Sequence, residues 1–409
     1  MGNENQVLEI PYGTRDYLPG EATGKRAIET QLARLFALWG YDEVVTPTIE
    51  YLDTLTMDSG RTLTPQLFKL FDKGGRTLAL RHEMTTPIAR VVGSRLKDAP
   101  LPLKLSYISS VFRSEQSQMG RQCEFYQAGV ELVGSASAAA DAEVLALAIQ
   151  SLLRSGLKSF QVCLGQVEFA AGIMEQYRLS DDDQQALKDA LEQHDLVAYD
   201  AAVGALPLAA QAKKTLRALP VLSGGEETLT KAYSLALGEK SRRALDNLSA
   251  VYRLLASYGV DRFVRFDLGL IRDFSYYTGL VFEVYTAGLG YPLAGGGRYD
   301  RMLSDFGCAC PATGFALGIE RVLLALERQG IGAPAAHKDV FVAYAAGKEE
   351  EAVNRASSLR SEGKVAELAL VPMTKADAAK AQTEKGYAAL VYLGCSGVYV
   401  NSCAPSRRA

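Results

Sequence analysis

The chain has 409 residues, 48% of them apolar and 22% charged, an ordinary globular composition with length for two or three domains. A formal net charge of -3 gives no general attraction to nucleic acid or to an anionic membrane, so either partner would need a local basic surface. No stretch approaches the roughly 20 apolar residues of a spanning helix, no cationic and apolar leader opens the chain, and six cysteines without a CxxC pair point to a reducing cytoplasm.

Residues 22–39 repeat apolar positions at helical spacing and stop at Gly40. YDEVVTPTIEY (41–51) reads as a strand, with Pro47 marking an interface or a break, because proline is tolerated only at an edge, an end or a bulge. QLFKLFD and RTLALR flank Lys73-Gly74-Gly75 and predict a hairpin. Strands are expected at LKLSYISSVFR and FYQAGVELVG, then a helix at AAADAEVLALAIQSLLRSG. From about 165 to 258 the sequence turns polar and helix-favouring, with Ser180 as an N-cap ahead of three aspartates suited to a helix start. VRFDLGL and YTGLVFEVYT read as strands and GIERVLLALERQG as a helix, and residues 328–337 form a linker by their Gly, Ala and Pro content. Beyond it, strands and helices alternate as β, α, β, α, β. The expected fold class is α+β: a mostly antiparallel sheet flanked by helices over 1–330, a helical insertion at about 165–258, and a small α/β domain over 338–409.

Four segments concentrate reactive side chains. In LRHEMTTPIAR (80–90), Glu83 and Thr85 are expected past a strand and on one face of it, with His82 in a turn or at the strand end. VFRSEQSQMGRQCEFYQAGVELVG (111–134) places Arg113 and Glu115 on one strand, Arg121 near a turn, and Gln127, Gly129 and Glu131 on one face of the next. LGLIRDFSYYTGLVFEVY (268–285) holds Arg272 and the pair Tyr276 and Tyr277, which alternate faces if they lie in a strand. AGGGRYDRML (294–303) leads to the helix carrying Arg321. A small zwitterionic ligand bearing an imidazole needs acceptors for its ammonium, a donor for its carboxylate, and both for its ring nitrogens. Glu83, Thr85, Gln127, Glu131, Tyr276 and Tyr277 supply such a set, Gly295, Gly296 and Gly297 let backbone approach, and Arg113 and Arg321 suit a carboxylate or phosphate. Taken singly, each feature has a plainer meaning: a strand glutamate is ordinarily solvated, a tyrosine packs in a core, and GGGRYD makes a tight turn. Three histidines and the lone close pair Cys308 and Cys310 offer too few ligands for a metal site.

The order of these segments resembles the histidyl-tRNA synthetase family of class II synthetases over almost the whole chain. YGTRDYLPG (12–20) is similar to that family's opening, residues 22–53 to the dimer-forming motif 1, Arg113 with Glu115 to motif 2, and GFALGIER ending at Arg321 to motif 3. LIRDFSYYTG and GGGRYD resemble its two histidine-specific motifs. The resemblance implies histidine binding by Glu83, Thr85, Gln127, Glu131, Tyr276 and Tyr277, with Arg113 and Arg272 beside them, and a vestigial nucleotide-binding set of Arg113, Arg121 and Arg321.

Two branches share this pattern, the tRNA synthetase and the regulatory subunit of ATP phosphoribosyltransferase. QLFKLFDKGGRTLALRHEMTTPIARV resembles the second. Where synthetases read RGLDYY this chain reads RDFSYY, losing a carboxylate, and their basic RYRQFHQ is RQCEFYQ here. Residues 338–409 hold ten Lys and Arg against eight Asp and Glu, without the basic face of an anticodon-binding domain, and read as a truncated version of one. His82 stands where both branches carry proline. The resemblance therefore implies a non-catalytic regulatory subunit that partners a short-form catalytic subunit and takes histidine as its effector in the first step of histidine biosynthesis. It also implies self-association, with no cofactor, metal, tRNA or membrane. The alternative is an active histidyl-tRNA synthetase.

Overall fold

The computed structural model describes residues 8–57, 67–114, 122–270, 276–332, 337–395 and 397–402, and its contacts divide the chain into two units, Met1–Ala333 and Pro334–Ala409. In the first, α1 (Pro19–Leu38) begins on a proline, whose fixed φ suits a first helical position, and buries Ile28, Leu32, Leu35 and Phe36 along one stripe. Pro47 is a break: β1 (Asp42–Glu43) and β2 (Ile49–Tyr51) lie either side of it and belong to different sheets. After α2 (Leu52–Leu55), β3 (Lys69–Phe71) and β4 (Thr77–Leu80) form the expected hairpin, with Gly75 at φ +81° and the Asp72 carboxylate accepting the Gly74 and Arg76 amides.

The chain continues through α3 (Thr85–Arg95), β5 (Leu103–Phe112), β6 (Glu124–Val133), α4 (Ala138–Arg154) and β7 (Gln161–Gln166). Mostly helical sequence follows: α5 (Val167–Gln176), α6 (Asp181–Glu192), α7 (Leu196–Ala205), α8 (Ala210–Ala218), β8 (Ser223–Gly224), α9 (Glu227–Leu235) and α10 (Glu239–Ser257). Ser180 caps α6 by accepting the Asp183 amide. Then come β9 (Val264–Asp267), β10 (Leu280–Tyr285), β11 (Ala294–Arg298), α11 (Met302–Asp305), β12 (Ala312–Gly318) and α12 (Ile319–Arg328). AGGGR is thus a strand inside the sheet and not a turn.

The large sheet runs β1-β5-β6-β12-β11-β10-β7-β9-β8. Its β1–β5 and β7–β9 pairings are parallel and the rest are antiparallel. Strand alternation gives it two unlike faces. Ala128, Val130 and Leu132 of β6, Phe315 and Leu317 of β12, and Phe282 and Val284 of β10 share one apolar face, buried in a single core with α1, α4 and α10. The opposite face carries Gln127, Gly129 and Glu131, Gly314 and Ala316, Gly295 and Gly297, and Glu283. Small residues along that face leave it room for a cleft.

The second unit contains β13 (Val340–Tyr344), α13 (Glu349–Ser361), β14 (Ala366–Leu368), α14 (Lys375–Lys385), β15 (Ala389–Gly394) and β16 (Gly397–Ser402). Strands β14, β13 and β15 are parallel, as helical crossovers require, and β16 folds back antiparallel on β15. Its core is its own, centred on Phe341, Val342, Leu359, Leu390 and Val391. No helix among the described residues is long and apolar enough to cross a membrane.

Candidate functional site

A cleft of about 1650 Å³ lies on the small-residue face of the large sheet, bordered by Glu83, Thr85, Arg113, Gln127, Glu131, Tyr276, Tyr277 and Arg321. Arg121, Arg272 and Glu115 lie outside the described residues. The cleft floor follows from the register. Glu131 pairs with Gly314 and Gly129 with Ala316, while Gly297 lies between Gly314 and Val281. A Cβ at Gly314 would stand 1.9 Å from Glu131 Oε2, one at Gly129 2.5 Å from the Tyr107 hydroxyl, and one at Gly297 2.9 Å from the Tyr277 ring. Each glycine is therefore the seat of a large side chain from elsewhere in the chain. This changes the reading of the triple glycine: Gly297 makes room for Tyr277, Gly296 packs against Phe315 of the next strand, and Gly295 lies on the cleft face of β11.

Glu131 is the centre of the deep end. It is buried, accepts a 2.8 Å hydrogen bond from the Thr85 hydroxyl on one oxygen, and accepts from the Tyr299 hydroxyl on the other. Burial pushes its carboxyl up to about 8, against the pull of those two donors, and the nearby Glu83 charge adds to the rise. At pH 7 it is a neutral acid, able to donate as well as accept. Tyr299 stacks on Tyr276 with ring centres 5.5 Å apart, and Tyr276 meets Tyr277 edge-on at 4.7 Å. Burial also raises the Tyr107, Tyr276 and Tyr299 hydroxyls well above the usual phenol range, so all three stay protonated.

Three expectations change here. Glu83 and Thr85 do not alternate along a strand, because β4 ends at Leu80. Thr85 is instead the first residue of α3, and Glu83 lies just before it, accepting the Thr85 amide at 2.5 Å and the Thr86 amide at 2.9 Å. Its carboxylate satisfies the helix's first free amides, as expected at a positive helix end. Tyr276 and Tyr277 precede β10 and both border the cleft, one stacked on the other's neighbour, so neither is a strand residue. Arg113 lies just past the end of β5 at Phe112, donating from Nε to the His82 carbonyl at 3.0 Å, 5.2 Å from the Phe125 ring centre.

Arg321, on α12, donates to the Pro292 carbonyl at 2.7 Å and lies over Tyr291. Residues not picked out from sequence complete the walls. The Tyr17 hydroxyl and the Tyr126 amide both donate to Glu320, fixing the YGTRDYLPG segment and the start of β6 against α12. Arg298 of GGGRYD is structural, since its guanidinium meets Asp141, Asp300 and the Ser135 carbonyl. Its neighbour Tyr299 was readable from the same motif. Among the described residues no cluster of three His, Cys, Asp or Glu is placed to hold a metal ion.

Two buried polar atoms on the cleft residues have no partner among the described residues: His82 Nδ1 and Gln127 Oε1. A third, Glu29 Oε2, has Arg26 at 2.9 Å and is accounted for by that ion pair. Because buried polar groups nearly always find a partner, the Gln127 oxygen marks the cleft as a place where a polar ligand completes the hydrogen bonding. The set at hand comprises a neutral acid, a carboxylate on a helix end, an amide oxygen, hydroxyl donors and two cations. It suits a small molecule carrying both charges and ring nitrogens.

A family model described as histidyl-tRNA synthetase matches residues 13–322. A curated ATP phosphoribosyltransferase regulatory subunit from Moorella thermoacetica is 43% identical over 360 residues, covering 88% of this chain and 91% of that protein. The same subunit from Desulforamulus reducens is 40% identical over 385 residues, covering 94% and 96%. Among solved structures, an ATP phosphoribosyltransferase regulatory subunit/histidyl-tRNA synthetase from Bacillus halodurans superposes with a TM-score of 0.84 at 37% identity, covering 95% of this chain and 98% of that one. A histidyl-tRNA synthetase from a Nostoc species superposes at 0.82 with 20% identity, a likeness of fold. The chain belongs to the family of ATP phosphoribosyltransferase regulatory subunits, built on the histidyl-tRNA synthetase fold.

Proposed function

We propose that this chain is the regulatory subunit of a hetero-oligomeric ATP phosphoribosyltransferase, the enzyme of the first step in histidine biosynthesis. It activates a short-form catalytic subunit and confers inhibition by histidine, while the phosphoribosyl transfer takes place in the partner. Support for the role comes from relatives of that name that match nearly the full length. The observation that carries the ligand assignment is the Glu131, Thr85 and Tyr299 cluster beside the unpartnered Gln127 oxygen. A neutral acid there can accept from a protonated imidazole nitrogen or donate to an unprotonated one, and Glu83 faces the ammonium. Histidine binding favours one arrangement of the complex, and the coupling between histidine and substrate affinities is reciprocal. Self-association through the region around α1 and β1 accompanies assembly, and the subunit uses neither tRNA nor a membrane. Residues 338–409 serve as a shortened counterpart of an anticodon-binding domain.

The test mixes the chain with a short-form catalytic subunit and follows phosphoribosyl-ATP formation. Activity is expected to rise when the chain is added and to fall when histidine follows. No rise, no fall, or charging of histidine tRNA at an ordinary synthetase rate would overturn the proposal. Within the complex, Glu131→Ala or Tyr276→Phe should weaken histidine inhibition by about tenfold, the usual loss for a buried hydrogen bond to a polar ligand, while assembly measured by sedimentation stays intact.

A further inference from the structure

His82 is the residue for which neither the fold nor the ligand set above has given a use. It lies in the turn between β4 and α3, is 2% exposed, and borders the cleft. Its main-chain carbonyl accepts from Arg113 Nε at 3.0 Å, and the ring lies within reach of the charges of both Glu83 and Arg113. The next residue is Glu83, whose two carboxylate oxygens face the first amides of α3. Nδ1 of the ring is sealed from solvent without a partner among the described residues. A packing role alone would be better served by an apolar side chain, because a sealed ring nitrogen costs free energy.

The two ring nitrogens have different possibilities. Nδ1 has no partner among the described residues, so a proton there would be a buried N–H that none of them receives. The ring can address the cleft only through Nε2. An imidazolium needs acceptors for both N–H groups, and burial lowers the ring's basicity by more than the neighbouring Glu83 charge raises it, with Arg113 adding a smaller lowering. The ring is therefore neutral, with its proton on Nε2 and its lone pair on Nδ1.

We propose that His82 is a ligand-contacting residue that donates Nε2–H to the carboxylate of the bound amino acid, sharing that carboxylate with Arg113. This rests on the histidine reading of the cleft and adds to it a discriminator between amino acids and their decarboxylated amines. Arg113 attracts any anion, whereas a neutral donor fixed beside it selects an oxygen acceptor by direction.

Calorimetric titration of the full chain with L-histidine and with histamine, which lacks the carboxylate, tests the assignment. His82→Ala should weaken L-histidine binding about tenfold or more and leave histamine within about twofold. His82→Gln, whose amide nitrogen reaches the place of Nε2, should recover most of the affinity. His82→Asn, whose shorter amide reaches only the place of Nδ1, should not. Thermal melts on each variant register folding, and the histidine-to-histamine ratio is insensitive to a general loosening of the site. Equal weakening for both ligands, or unchanged L-histidine binding in His82→Ala, would overturn the proposal while leaving the histidine reading intact. Failure of the unmodified chain to bind L-histidine would remove that reading and this inference together.

Discussion

Glu131 couples the site to pH. Its carboxyl is ordinary in an unfolded chain and raised to about 8 by burial in the fold, so the folded protein binds that proton more tightly. The stabilisation this gives is complete below the unfolded carboxyl range near 4.5, declines as pH rises through the interval, and is gone above about 8. Glu131→Gln keeps the shape without the titration. Its melting temperature relative to the parent is expected to climb steadily between pH 5 and 8 and then level off, and a flat difference across that range would show a wetter carboxyl. Glu131 itself was legible, because Gln127, Gly129 and Glu131 alternate along one strand face. Its protonation was not legible, since the Tyr299 donor comes from 168 residues away. Glu83 was legible as a site residue but its mode was misread. Pro87 in the first turn of α3 was the overlooked signal, because proline there announces a helix start directly after Glu83.

The strands β6, β11 and β12 act together through their glycines, and the dependence is steric. Gly314→Ala would place a methyl 1.9 Å from the Glu131 carboxylate and 2.5 Å from the Val130 carbonyl. It should cost about 1–3 kcal/mol of stability, as overpacking does, and abolish histidine binding. Gly290→Ala is the matched control on the same cleft, with no atom within 4 Å of the new methyl, and should change stability by less than about 0.5 kcal/mol. Denaturant unfolding with a ligand titration on each variant would separate the two outcomes, and comparable losses in both would refute the steric account. Among elements, the hairpin of β3 and β4 and the α4 and α12 helices were readable from turn residues and periodicity. Strand β11 was harder, because three glycines carry no strand propensity and only their neighbours in the sheet hold them extended. Strand β16 was missed, although Gly394 and Gly397 stand close in sequence and pair where β15 meets β16, with Gly397 at φ +114°.

At the scale of the whole chain, the two units have separate cores, one around the large sheet and one around Phe341 and Val391. Scanning calorimetry is expected to resolve two transitions, of which only the one belonging to residues 1–333 moves upward with histidine. A single transition, or an upward shift in both, would show that the units unfold as one. The overall class was readable because apolar periods and turn residues are local, while the shape of the cleft depends on register between distant strands. That cleft, at about 1650 Å³, exceeds the range of roughly 300–1,000 Å³ usual for small-molecule sites. An amino acid fixed by a few polar groups at one end has water, not wall, at its back.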